Sequence, residues 1–288
     1  MDIKFNDVCF GYGNHPVLRN IDLDLRGPGL ICIIGPNGVG KSTLIRCMNG
    51  LLKPTSGNVT IEGRDVSDYK PGELAEFMGY VPVTSGDCFA MSVFDTVLMG
   101  RYKRNKWITS SEDIGATERT LKLLELRDLA MNSFNELSAG QHQKVAIARG
   151  LVREPMILIL DEPTSNLDVR HQVYVTELLH ELAIQCNMLV IMISHDLNIS
   201  ARYADKIVVM GHPGIIRAVG DPSDVITESM VREVYGVENE VIYRDGRPHV
   251  ILGSAIDGFT VMDVRFQQFI RPVRKHGAVF LSTLCSQQ

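Results

Sequence analysis

The chain has 288 residues, near the upper size for one hydrophobic core, so one domain with a subdomain or two is expected. Its 29 basic and 34 acidic residues leave a net charge of −5, which gives no electrostatic reason for a nucleic-acid or anionic-membrane surface. Cys9, Cys32, Cys47, Cys88, Cys186 and Cys285 form no C-x-x-C pair and have no His at ligand spacing. They read as small core residues of a reducing compartment, neither disulfides nor zinc ligands.

The N-terminal Met1-Asp2-Ile3-Lys4-Phe5-Asn6 carries an early acid and no hydrophobic stretch, so a secretory signal is not expected. No apolar segment approaches the roughly 18 to 20 residues that a membrane-spanning helix requires. A cytoplasmic protein able to dock on a membrane partner is expected. Residues 1–25 read as strands: Ile3, Phe5, Val8 and Phe10 lie among polar neighbours, a turn falls at Gly11-Tyr12-Gly13-Asn14, and Ile21, Leu23 and Leu25 alternate with Asp22 and Asp24. This predicts an antiparallel layer with one face in water. Leu30-Ile31-Cys32-Ile33-Ile34 is apolar throughout and predicts a parallel strand buried on both faces, with a helix over Lys41 to Leu52 after it.

From about Val83 to Asn135 the pattern predicts a helical insertion. Helical periodicity runs through Val93 to Met99 and Thr120 to Leu129, and one polar loop spans Lys103 to Ser111. Leu137-Ser138-Ala139-Gly140-Gln141 opens a helix to about Arg153, stopped by Pro155. Met156 to Leu160 and Met188 to Ile193 are continuous apolar strands around a helix over Val173 to Ile184, a β-α-β unit that makes the class α/β with a parallel sheet. Beyond about Glu240, Asp245-Gly246 lies between extended residues and signals a hairpin. The last 30 residues carry no interpretable motif.

Three segments carry chemistry. Gly35-Pro36-Asn37-Gly38-Val39-Gly40-Lys41-Ser42 fits G-x-x-x-x-G-K-S between a buried strand and a helix, where backbone N–H groups and the helix dipole hold phosphate. Lys41 suits the β and γ phosphates of a nucleotide, and the Ser42 hydroxyl suits Mg²⁺. Asp161 and Glu162 close an apolar parallel strand, the edge at which ligands of open α/β sheets bind. Asp161 would reach Mg²⁺ through water, and Glu162 would polarise an attacking water. Ser138 is a good helix cap, and the small residues after it let N–H groups approach an anion.

Gly35 to Ser42, Leu137 to Gln141, Ile157 to Glu162, Ser165-Asn166-Leu167-Asp168 and Ser194-His195, in this order, resemble the ATP-binding subunit of an ABC transporter over roughly residues 1 to 240. The resemblance implies an ABC-type P-loop ATPase fold, α/β, with a mixed, largely parallel core sheet, an N-terminal antiparallel β layer and a helical subdomain. Residues 1–82 and 138–240 would form the ATP-binding core, 83–137 the helical subdomain, and 241–288 a C-terminal extension. It also implies that two copies pair head to tail, each ATP lying between Gly35 to Thr43 of one and Ser138, Gly140 and Gln141 of the other. Tyr12 would stack on adenine, Asp168 would sit at the dimer seam, and His195 would contact the γ-phosphate.

Two positions depart from the family pattern. Val83 stands where members usually carry a Mg²⁺-ligating glutamine, and no shifted register supplies one, because the first glutamine of the chain is Gln141. Thr84 or Ser85 could bring a hydroxyl or a water there. Ala139 replaces the usual first glycine of the signature. Leu167 to Gln172, Gly220-Asp221-Pro222 and Val231 to Val237 further resemble importer ATPases for iron-siderophore, haem, cobalamin and related metal-complex or oxyanion uptake. Such a subunit works on integral membrane permease subunits with an extracytoplasmic substrate-binding protein, peripheral on the inner face of the membrane, and without nucleic acid. The rival expectation, raised by Val83, is a regulatory subunit that closes on ATP and turns it over poorly.

Overall fold

The computed structural model describes residues 1–83, 91–102 and 109–256. Expectations for Thr84, Ser85, Cys88, Cys285, most of the polar loop and the last 30 residues lie outside the described residues. The chain opens with β1 (Asp2–Tyr12) and β2 (His15–Arg26), paired antiparallel from Asp2 opposite Arg26 to Tyr12 opposite His15. Their alternating burial is the one-sided layer read from the sequence. After β3 (Gly29–Ile34) and α1 (Lys41–Met48), β4 (Ser56–Ile61) and β5 (Arg64–Asp65) complete a four-stranded sheet in the order β2-β1-β4-β5. Helix α1 stops at Met48, short of the expected Leu52, because Asn49 leaves helical backbone and Gly50 turns left-handed.

Next come α2 (Pro71–Phe77), β6 (Met78–Val81), α3 (Val93–Leu98), α4 (Ser111–Leu123) and α5 (Ala139–Leu151). Helix α4 begins nine residues before the periodicity that was expected to mark it at Thr120. Its buried face includes Ala116, Thr117 and Thr120, with both threonine hydroxyls donating to carbonyls one turn back, so a search for large apolar residues passes over it. A capping box starts it: Asp113 N–H donates to Ser110 Oγ, and Ser110 N–H donates to the Asp113 carboxylate.

The second half runs through β7 (Ile157–Leu160), α6 (Val169–Gln185), β8 (Leu189–Ile193), α7 (Leu197–Tyr203), β9 (Lys206–Gly211) and β10 (Ile215–Gly220). A six-stranded sheet has the order β10-β9-β3-β8-β7-β6, parallel throughout except for β10 at its edge. Its two faces feed two cores. Leu30, Cys32 and Ile34 pack with Leu158, Leu160 and the helices α5 and α6, whereas Ile31 and Ile33 pack with Ile157, Ile159, α1 and the antiparallel sheet. Because these strands end together, Ile33 opposite Ile193 and Val81 opposite Leu160, the residues that follow them share one edge.

The chain continues with α8 (Pro222–Val225), α9 (Glu228–Tyr235), β11 (Val237–Arg244) and β12 (Arg247–Ala255). The expected hairpin is present, and Asp245 (φ 53°) and Gly246 (φ 75°) both turn left-handed as a two-residue hairpin turn requires. Residue 241, the expected start of a separate extension, falls inside β11. The hairpin is docked: Val250 N–H donates to Asn198 Oδ1 at 2.7 Å, Arg247 donates to the Ala204 carbonyl at 2.9 Å, and Val250 is buried.

Cysteine placement corrects one expectation. Cys32 and Cys47 are buried and Cys9 is half-buried, but Cys186 is exposed because it caps the C-terminus of α6, beyond the apolar stripe. Burial pushes the Cys32 thiol up to about 12 and the Cys47 thiol up to about 11. A maleimide probe at neutral pH is expected to modify Cys186 in the native protein and to reach Cys32 and Cys47 only after denaturation, as mapped by peptide mass spectrometry.

Candidate functional site

The loop from Gly35 to Gly40 joins the end of β3 to the start of α1. Gly35 (φ 149°) has no room for a side chain, since a Cβ there would run into the Met210 carbonyl. The loop closes around Lys41, whose Nζ donates to the carbonyls of Gly35 at 2.8 Å and Pro36 at 2.9 Å. Lys41 is only 5% exposed, and burial pushes its ammonium down while Glu162 and Asp161 act the other way.

Asp161 follows β7, and its N–H donates to the Val81 carbonyl at 2.9 Å, which fixes it at the sheet edge. Ser42 Oγ donates to Asp161 Oδ1 at 3.0 Å, so α1 and β7 bring a hydroxyl and a carboxylate together, the hard oxygen donors that Mg²⁺ takes. Asp161 is 2% exposed; burial raises its pKa and the Glu162 charge adds to the rise, while Ser42, Arg46 and Lys41 oppose it. Glu162 adopts φ 51°, a left-handed conformation that costs a non-glycine residue about 1–2 kcal/mol. In it, Glu162 Oε1 stands 2.7 Å from His195 Nε2. His195 is held from both sides: Ser194 N–H donates to the Ile33 carbonyl, and Asp196 caps α7.

A second cluster forms elsewhere. Ser138 caps α5, with Gln141 N–H donating to its Oγ at 3.4 Å and its own N–H donating to Gln141 Oε1 at 2.9 Å. Gly140 is buried, while Ser138 and Ala139 are exposed. Asp168 caps α6 and holds the His171 ring; the His171 backbone bond, then its ring, lowers the Asp168 pKa. These residues surround a cavity of about 360 Å³ whose lining includes Ser138, Gly140, Gln141, Lys144, Arg170 and His171. One chain therefore gathers Lys41, Ser42, Asp161, Glu162 and His195 at one place and Ser138, Gly140, Gln141 and Asp168 at another.

Tyr12 ends β1 with its ring 49% exposed and edge-on to Phe10. Val83 lies just past β6 and is 43% exposed, a hydrocarbon where the pattern wants a ligand. Arg46 and Tyr80 join the site without any motif to mark them. Tyr80 raises the Arg46 pKa, and burial followed by the Asp161 charge raises that of Tyr80. No short-range signal could have found them, because the pairing of β6 with β7 links residues far apart in the chain. His171 did stand within a flagged segment, three residues after an N-cap aspartate.

The ABC transporter family model matches residues 18–165. An uncharacterized ABC transporter ATP-binding protein of Methanocaldococcus jannaschii is 41% identical over 251 residues, covering 87% of this chain and 98% of that protein. A Bacillus subtilis protein named as a probable siderophore transport system ATP-binding protein is 35% identical over 83% of this chain and 87% of its own. A hemin import ATP-binding protein of Rhizobium meliloti is 34% identical over 83% of this chain and 93% of its own. Among solved structures, a Clostridium perfringens cassette that is part of the transporter complex cbiONQ aligns with TM-score 0.71 and 32% identity, covering 80% of this chain and 92% of that one. A dimeric, post-hydrolysis ATP-binding cassette bound to ADP and Pi aligns with TM-score 0.65 and 28% identity, covering 76% and 98%.

Folding raises the Asp161 pKa above its ordinary 3.8, so the folded chain holds that proton to higher pH than the unfolded one. The resulting penalty is absent below 3.8 and complete above the folded value. Asp161→Asn is expected to raise the thermal midpoint of the nucleotide-free protein at pH 7, with the gain fading as the pH falls towards 3.8. Calorimetry across that range checks the sign.

Proposed function

The chain belongs to the ABC transporter family as one of its ATP-binding, ATP-hydrolysing subunits, and on that premise we propose that it powers uptake of a metal complex or related solute through a membrane permease. The observation that carries the hydrolytic part is the Glu162–His195 pair, 2.7 Å apart on the edge that also presents Lys41, Ser42 and Asp161. Glu162 takes the proton of the attacking water, and His195 orients that carboxylate and meets the γ-phosphate. Lys41 leaves the loop carbonyls for the β and γ phosphates, while Tyr12 supports the adenine. Ser42 and Asp161 would hold Mg²⁺, which would supply charge neutralisation and polarisation of the phosphoryl group.

Two copies close head to tail on two ATP molecules. Among the described residues no hydrogen bond or ion pair joins the phosphate-loop group to Ser138, Gly140, Gln141 and Asp168 of the same chain, which supports this, since a complete site needs Ser138, Gly140 and Gln141 from the partner copy, with Asp168 at the seam. The dimeric neighbour supports it as well. Residues 1–82 and 138–240 act as the ATP-binding core, and 83–137 act as the helical subdomain that passes force to the permease. The metal-complex cargo rests on the siderophore and hemin relatives and on the segments around Leu167 to Gln172. No described helix is long and apolar enough to cross a membrane. In this reading, attachment at the inner face is through permease subunits, with an extracytoplasmic binding protein delivering the solute.

Glu162→Gln is expected to lower ATP turnover at least about a hundredfold, the range of a lost general base, and to leave an ATP-bound dimer stable to size-exclusion chromatography. A variant as active as the parent would remove Glu162 from the catalytic role. Val83→Gln is expected to leave steady-state turnover equal or higher. A clear loss would mean that Val83 belongs to a differently built site.

A further inference from the structure

Gly140 is closed in by a ring from the next helix. A Cβ placed on it would lie 2.5 Å from His171 Cδ2 and 3.0 Å from Nε2, closer than packed atoms allow. The ring is exposed on its outer side and is held by hydrogen bonds to Asp168. His171 N–H donates to Asp168 Oδ1 at 2.9 Å, and Nδ1 lies 2.9 and 3.0 Å from the two Asp168 carboxylate oxygens. Donation from Nδ1 to the carboxylate fixes the ring plane and leaves Nε2 towards Gly140. Asp168 is itself fixed as the cap of α6. Asp168, His171 and Gly140 thus form a contact chain from the start of α6 to the start of α5, beside the cavity that Ser138 and Gln141 line.

We propose that His171 is a positioning residue for the signature half-site: its Asp168-anchored ring is the stop against which Gly140 rests. It sets the depth at which the N-terminus of α5 meets the ATP of a second copy. The inference rests on the ATP-sandwich reading above. It adds a direct mechanical link, within one chain, between the seam aspartate and the phosphate-facing helix start. It also gives Gly140 an intrachain reason to lack a side chain, separate from any demand of the nucleotide.

The test is a suppressor cycle in the Glu162→Gln background, with ATP-dependent dimer measured by light scattering. Gly140→Ala pushes a methyl group into the ring, and overpacking of this kind is expected to weaken the dimer about tenfold or more. Adding His171→Ala removes the stop and is expected to return the dimer to within about twofold of His171→Ala alone. His171→Phe keeps a ring in place and is expected not to rescue. Binding of a fluorescent ATP analogue to dilute monomer is expected to be equal in all variants, because the phosphate loop is untouched. Should Gly140→Ala fold poorly, recovery of its thermal midpoint by His171→Ala supports the same contact. A double variant no better than Gly140→Ala, or a harmless Gly140→Ala, overturns the proposal. A Glu162→Gln chain that stays monomeric in ATP removes the sandwich reading, and this proposal with it.

Discussion

Parallel pairing of β3, β7 and β8 is the constraint on which the rest of the molecule depends. Each is a short run of branched or long apolar residues with no polar face, so each is stable only when covered on both sides. That requirement brings α5 and α6 to one face and α1 with the antiparallel sheet to the other. It also aligns the strand ends. The Ser194 N–H bond to Ile33 and the Asp161 N–H bond to Val81 continue the ladder past the strands, and the catalytic candidates leave the sheet within that last step. Chemistry contributed by residues far apart in sequence is thus collected at one edge by backbone hydrogen bonds, before any side chain interacts.

The second cluster has a different physical origin. Ser138 and Asp168 are both N-caps, each satisfying N–H groups at a helix start, and the His171 ring of α6 lies against Gly140 of α5. A side chain that caps a helix needs no extra element to hold it. The stability of α5 and α6 therefore supports the geometry of this cluster. Lys144 reinforces it by lying over the Tyr174 ring at 4.4 Å, which ties α5 to α6 a turn further along.

How legible this was in the sequence follows from the range of each interaction. The buried strands, the phosphate loop, the capping serine and the Asp245-Gly246 turn were readable because their signals lie within a few residues. The start of helix α4 is hidden because threonines that bond to their own backbone form its buried face, and the end of α1 is obscured because two leucines follow the Asn49-Gly50 stop. Cys186 misled because apolar residues near a helix end do not share the burial of its middle. The contacts of Arg46 with Tyr80 and of His171 with Gly140 depend on elements meeting in space, and no spacing rule reports them.

The electrostatics of the edge explain why such a site suits a nucleotide. Lys41 is a buried cation hydrogen-bonded to two carbonyls, with the Glu162 and Asp161 charges favouring its charged form, and Asp161 is a buried carboxylate that accepts from the neutral Ser42 hydroxyl. Burial works against the charged form of both. Glu162 adds a second negative charge from a left-handed backbone conformation. A phosphate chain offers Lys41 the counter-charge that carbonyls lack, and the helix N-terminus after Gly40 offers that chain further N–H donors.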